Sequence, residues 1–275
     1  MINSTLNMLV CFVKLGAIGS AIISEYLIDE RADRNDLEVR VFTSGAKMGE
    51  KEGEELAKNA LKVNPDLVIV ASPNASLPGP KKLREILKNE GKKVIVLSDA
   101  PAKKIVDELE KDGFGYIIVT ADSMIGARRE FLDPTEMALY NSDVIKVLSA
   151  TGALRAVHTA IDECIKTGNL PKTIIDAWTA VKSGGFKNPY ALAKAFASYT
   201  IAEKVSAITT KACFVEKDAE KYIPMVAAAH EMMRYAAKLA DEAREIEKSN
   251  DVVLRTPHAK DGRILKKDSL LQKPS

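Results

Sequence analysis

Lys14-Leu15-Gly16-Ala17-Ile18-Gly19-Ser20 is the first stretch whose residue types and spacing suggest chemistry. It follows an apolar run, MLVCFVK, and opens a helical pattern, so it reads as a strand-to-helix turn. Glycines there remove the Cβ atoms that keep a ligand off the backbone, and the free N–H groups of a first helical turn favour anionic or polar oxygens. The turn as a whole, Gly16 to Ser20, is therefore a candidate cofactor-binding segment. Its GxxG spacing is shorter than the GxGxxG dinucleotide fingerprint, and close packing of strand on helix would account for the same glycines.

Three further loops carry suitable residues. A strand that binds the ribose of NAD ends in an acid, but here the second apolar run ends Thr43-Ser44-Gly45, which disfavours NAD. Ser44 and Lys47 leave NADP or another phosphorylated cofactor open. The third run ends in Ser72-Pro73-Asn74-Ala75-Ser76, the fourth in Ser98-Asp99-Ala100-Pro101. Proline fixes φ and removes a donor, so Pro73, Asn74, Ala100 and Pro101 belong to stiff loops suited to holding a planar ring, though they also serve as ordinary turns. Arg128 and Arg129, in GARREFLDP, form a guanidinium pair that can grip phosphate or carboxylate; an interdomain salt-bridge network with the neighbouring acids is the alternative. Of the histidines, His158 and His230 sit in helical patterns, and His258 beside Pro257 is the candidate site residue.

What is missing narrows the chemistry. There is no HxxxH or His-Cys cluster for a metal, no GxSxG elbow, no CxxC and no phosphate-transfer loop. Hydride transfer between two bound organic molecules needs no protein nucleophile, and it fits such a site. The balance of 40 basic and 38 acidic side chains gives no field for holding a nucleic acid. The apolar run over residues 8 to 23 is broken by Lys14 and two glycines and is too short to span a bilayer. Cys11, Cys164 and Cys213 are odd in number and widely spaced, as expected of a reducing cytoplasm.

The elements that position these residues follow from periodicity. Runs at 8 to 14, 37 to 43, 66 to 72, 93 to 98 and 115 to 120 read as strands buried on both faces, with helices near 18 to 29, 50 to 62, 80 to 90 and 102 to 111. That pattern is an α/β, doubly wound, mostly parallel sheet of Rossmann-like type, whose ligand edge is the carboxyl ends of the strands. We divide the chain into a cofactor domain over 1 to 125, a helical domain over 126 to 250 and a β-hairpin with tail over 251 to 275. Helix starts fall at Asp133-Pro134, with Glu136 placed to return a bond to the cap, at Asn188-Pro189, and at Asp218 or Lys221. In the last helix Met225, Met232, Leu239 and Ile246 form one rail, and Ala229, Ala236 and Ala243 another. Such rails serve an intrachain bundle or a subunit interface. Asp261-Gly262 favours a hairpin turn.

The blocks KLGAIGS, LIDERADR, SPNASLPGP, SDAPA, IGARREFLDPTEMALYN, AAHEMMRYAAKLADEAREIEKSND and VLRTPHAKDG, in this order along almost the whole chain, resemble the archaeal coenzyme F420-dependent methylenetetrahydromethanopterin dehydrogenases. The resemblance implies reversible hydride transfer from the methylene carbon of methylenetetrahydromethanopterin to the deazaflavin F420, giving the methenyl cation, in archaeal one-carbon metabolism. It also implies a cytoplasmic homohexamer that needs no metal or flavin. Asp99 and Glu130 are then candidates for electrostatic shaping of the site, and Arg128, Arg129 and His258 for holding the substrate. An NADP-dependent oxidoreductase, or a non-catalytic flavodoxin-like binding module, are the alternatives on the same fold.

Overall fold

The computed structural model describes residues 8–28, 33–123, 131 and 133–275. Among these residues six strands, β1 (Met8–Lys14), β2 (Leu37–Thr43), β3 (Leu67–Ser72), β4 (Lys93–Asp99), β5 (Gly115–Val119) and β6 (Lys172–Ile175), form one parallel sheet in the order β2-β1-β3-β4-β5-β6. Alternate residues of each strand serve opposite faces. Val10 and Phe12 of β1 enter one core cluster and Cys11 and Val13 the other, all with no exposed surface. Both faces of the sheet are thus covered, which is why the inner strands read as continuous apolar runs.

One face carries α2 (Glu50–Leu61), α3 (Pro78–Asn89) and α4 (Val106–Lys111), the last preceded by a 3-10 turn, Ala100–Ile105, with Pro101 near its start. The other face carries α1 (Gly19–Leu27), α5 (Pro134–Thr151), α6 (Ala153–Thr167), α7 (Ala177–Gly184), α8 (Pro189–Thr210) and α9 (Ala219–Ser249). The expected helix starts are observed: Asp133 Oδ1 accepts from Glu136 N at 2.7 Å, Asn188 Oδ1 from Tyr190 N at 2.8 Å, and Asp218 Oδ1 from Glu220 N at 3.1 Å. The return bond expected from Glu136 is replaced by another. Its carboxylate meets Nδ1 of buried His230 at 2.7 Å, and His230 stacks on Tyr140 with ring centroids 4.3 Å apart.

Two expectations need correction. The core does not divide at residue 125: β6, from the segment assigned to the helical domain, pairs with β5, and a single apolar cluster runs from Val10 and Ile69 to Val144, Tyr199 and Ala236. The final segment is not a two-stranded ladder, since only the isolated antiparallel bridges Arg255 to Lys267 and His258 to Ile264 form around a turn in which Gly262 has φ 80°. The alanine rail of α9 is intrachain, with Ala229, Ala236 and Ala243 all fully buried, while Met225, Met232, Leu239 and Ile246 are half-buried. Among the described residues no single helix is long and apolar enough to cross a membrane.

Candidate functional site

Parallel register levels the carboxyl ends of the strands. Lys14 lies opposite both Thr43 and Ala71, Ser72 opposite Ser98, and Asp99 opposite Val119, which faces Ile175. β1 has β2 on one side and β3 on the other, so the connections after β1 and β3 leave toward opposite faces of the sheet. Such a switch point is where open α/β sheets bind ligands. Gly16, Ala17, Pro73 and Asn74 flank it.

Gly16 has φ 75°, a conformation that costs other residues about 1–2 kcal/mol. A Cβ there would sit 2.8 Å from Met48 Sδ and 3.1 Å from Pro73 Cδ, so the glycine lets the loops after β1, β2 and β3 converge. Gly16 N–H donates to Gly45 O at 2.9 Å and Ser44 N–H to Lys14 O at 3.1 Å, while Ser44 Oγ donates to Lys47 O at 2.6 Å. Asn74 Oδ1 accepts from Ser76 N at 3.0 Å, and Ser98 Oγ bridges the next loops, donating to Ser72 O at 2.7 Å and accepting from Ala75 N at 3.1 Å. The shaped loops expected of SPNAS and SDAPA are therefore stitched to each other.

Gly19 and Ser20 serve a different purpose from Gly16. Gly19 N–H donates to Asp122 Oδ1 at 2.5 Å and Ser20 N–H to Asp122 Oδ2 at 2.9 Å, and Ser20 Oγ also donates to Oδ2. The first turn of α1 therefore already holds an anion, supplied by the chain itself. A Cβ on Gly19 would lie 3.0 Å from Asp122 Oδ1 and 3.1 Å from Leu148 Cδ1, so this glycine is required by packing.

Asp99 and Asp122, at the ends of adjacent strands, make an acidic core to the edge. Burial pushes the Asp99 carboxyl up to about 8; Ala100 N–H, donating at 2.5 Å, and Ser206 Oγ, at 3.1 Å, oppose the rise, while the charge of Asp122 adds to it. Burial likewise raises Asp122 to about 6 against the pull of Ser20 and Gly19. Thr120 Oγ1 donates to Glu203 Oε1 at 2.5 Å, and burial raises Tyr140, whose hydroxyl donates to Ser123 O at 2.9 Å. At neutral pH Asp99 therefore keeps its proton while Asp122 carries the negative charge held by α1. Among the described residues no three His, Cys, Asp or Glu side chains converge as a metal cage.

Sequence reasoning missed Asp122, Glu203 and Ser206. Asp122 follows the fifth strand within three residues, as Asp99 ends the fourth, so the strand-end rule that picked out Asp99 extends to it. Glu203 and Ser206 reach the edge only because α8 packs across it, which no periodicity announces.

Of the remaining candidates, Arg128, Arg129 and Glu130 lie outside the described residues. His258 is not brought to this edge. Its Nε2 meets Asp162 Oδ2 at 2.8 Å, Arg34 Nη1 donates to Asp162 Oδ1 at 2.7 Å, and Arg34 Nη2 to Asp36 Oδ2 at 2.7 Å. Asp36 accepts from Met8 N at 2.9 Å, at the start of β1, so this buried network lies at the opposite end of the sheet and pins the C-terminal segment there.

Comparison with known proteins adds an independent line. The family model described as methylene-5,6,7,8-tetrahydromethanopterin dehydrogenase matches residues 8–275. A relative from Archaeoglobus fulgidus, named F420-dependent methylenetetrahydromethanopterin dehydrogenase, is 64% identical over 268 residues, covering 95% of this chain and 97% of its own. Relatives of the same name from Methanocaldococcus jannaschii and Methanopyrus kandleri are 53% and 48% identical, over 95% and 96% of this chain and 97% of each of theirs. A solved structure 47% identical, with a TM-score of 0.94 over 98% of this chain and 100% of that one, is of an F420-dependent methylene-tetrahydromethanopterin dehydrogenase in complex with methylene-tetrahydromethanopterin and coenzyme F420.

Proposed function

The chain belongs to the methylene-5,6,7,8-tetrahydromethanopterin dehydrogenase family, and from that premise we propose that it transfers a hydride reversibly between methylenetetrahydromethanopterin and the deazaflavin coenzyme F420. The observation that carries the reading is near-complete coverage at 64% identity by a relative bearing that name. The strand ends of β1 and β3 support the reading as the cofactor edge: the topological switch point lies there, and Ser72 Oγ, at the end of β3, is buried without a hydrogen-bond partner. When bound, the deazaflavin supplies the carbon that accepts the hydride.

The protein's own contribution is placement and charge. Holding two rings in reacting geometry is worth roughly 7–11 kcal/mol, so no covalent catalyst is needed. Gly16 and Ala17 with Pro73 and Asn74 hold the ring, while Ser44, Ala100 and Pro101 extend the wall on either side; Ile18, a candidate from the sequence, is instead fully buried in the core under α1. The first turn of α1 is filled by Asp122, so a phosphate-bearing arm runs outward along the rim rather than onto that turn. Asp122 lends a buried negative charge to the edge where the substrate gains positive charge, with Asp99 as a neutral neighbour that can ionise, and preorganised charge is a large source of catalysis. Glu130 is the further electrostatic candidate, and Arg128 and Arg129 grip the ligands' acidic groups.

We assign the enzyme to the cytoplasm and to a homo-oligomer, a hexamer by resemblance. Trp178, Tyr190, Phe214 and Tyr235 support self-assembly, being large apolar side chains left 60–78% exposed. The test of function is turnover by the purified protein with methylenetetrahydromethanopterin, a chelator present, followed by loss of the oxidised deazaflavin's visible absorbance. Rapid loss with F420 and negligible reduction of NAD or NADP is expected; turnover with NADP alone overturns the reading.

A further inference from the structure

In dinucleotide-binding sheets the cofactor's pyrophosphate rests on the first turn of the helix after β1, held by N–H groups and the helix dipole. Here those donors point at a side chain. Asp122 is fully buried and accepts from Gly19 N, Ser20 N and Ser20 Oγ, three donors that an incoming phosphate would need. We propose that Asp122 is a specificity-determining residue: its carboxylate stands where a dinucleotide's pyrophosphate would bind and so excludes nicotinamide dinucleotides from this edge.

Two effects act together. The carboxylate removes the attraction by satisfying the donors, and its own negative charge repels a phosphate brought to the same turn. Gly19 belongs to the same device, because any side chain there would meet Asp122 Oδ1 or Leu148. The absence of an acid after β2, where Thr43 and Ser44 stand, removes a ribose anchor; Asp122 goes further and closes the phosphate anchor. The inference deepens the proposed function and rests on that edge being the cofactor site.

The test reads binding, not turnover, so it fails separately from the proposed activity. Inorganic pyrophosphate is titrated by calorimetry into the wild type, Asp122→Ser and Asp122→Asn, at fixed ionic strength, with folding checked by circular dichroism. Asp122→Ser frees both backbone donors and opens space, and its Kd should fall at least roughly tenfold below the wild type's, about 1.4 kcal/mol. Asp122→Asn keeps an acceptor for Gly19 N–H, loses the charge and turns an NH2 toward Ser20, which releases the Ser20 donors, so it should gain at least about threefold; it carries the test if the serine variant does not fold. Loss of a purely structural carboxylate would weaken the fold without creating pyrophosphate affinity. Wild-type binding as tight as that of the variants, or no gain in any folded variant, overturns the proposal.

Discussion

Replacing Asp99 by asparagine tests the electrostatics of the edge. The carboxyl is buried, its partners are Ala100 N–H and Ser206 Oγ, the nearest opposing charge acting on it is Lys103, and Asp122 repels it. Its pKa rises from 3.8 to about 8 with burial as the largest cause. A raised acid pKa means that the folded state binds a proton the unfolded state has released, so stability is fully present below about pH 4 and drains away as pH climbs through about 8. At about 1.4 kcal/mol per pH unit across that window, the ceiling is on the order of 6 kcal/mol, and water entering the edge reduces it to about 2–5 kcal/mol. Asparagine has the same shape, accepts from Ala100 N–H and cannot ionise. Urea unfolding of wild type and Asp99→Asn at equal protein concentration should therefore give matching stabilities near pH 4 and a gap in favour of the variant that widens to pH 9. Parallel curves across that range would show that Asp99 titrates like an exposed acid and that the acidic edge stores no proton.

Other perturbations separate binding from folding. Gly16→Ala should lower stability by about 1–2 kcal/mol through its left-handed backbone and raise the deazaflavin KM, because the new Cβ presses on Met48 and Pro73; urea unfolding and steady-state kinetics measure both. His258→Ala should lower stability by about 2–4 kcal/mol by stripping Asp162 of a buried partner, with KM values unchanged, since the network lies at the far end of the sheet. Arg128→Ala and Arg129→Ala should each raise a ligand's KM several-fold, about 1 kcal/mol, and the wild-type KM should rise with salt; a loss of thermal stability with unaltered kinetics would mark them as structural.

Much of this was legible in the sequence because the signals are local. Strands buried on both faces announce themselves as Val and Ile runs, and Asp133, Asn188 and Asp218 mark helix starts through bonds to their own next turn. Strand ends mark the ligand edge of an open α/β sheet, so the positions of Gly16, Pro73, Asn74 and Asp99 at that edge follow from the strand runs alone. What escaped depends on tertiary approach. β6 is four residues, Lys172–Ile175, between Pro171 and the cap Asp176, too short for a periodic signal and assigned to a helical region. Gly19 reads the same as a ligand glycine or a packing glycine until Asp122, more than a hundred residues away, is seen on its N–H. His258 looked suited to a site because it lies in a polar, proline-stiffened segment, and that segment instead anchors to Arg34 and Asp162.

The central claim, that the switch point at the carboxyl ends of β1 and β3 receives the deazaflavin, is tested most directly by amide hydrogen exchange on the intact protein with and without F420. Slowed exchange concentrated in residues 15–18, 73–77 and 100–105, with the network around Arg34 and residues 255–265 unchanged, is the expected result. Protection confined to that opposite end of the sheet, or none at the switch point while the enzyme turns over, would contradict the account.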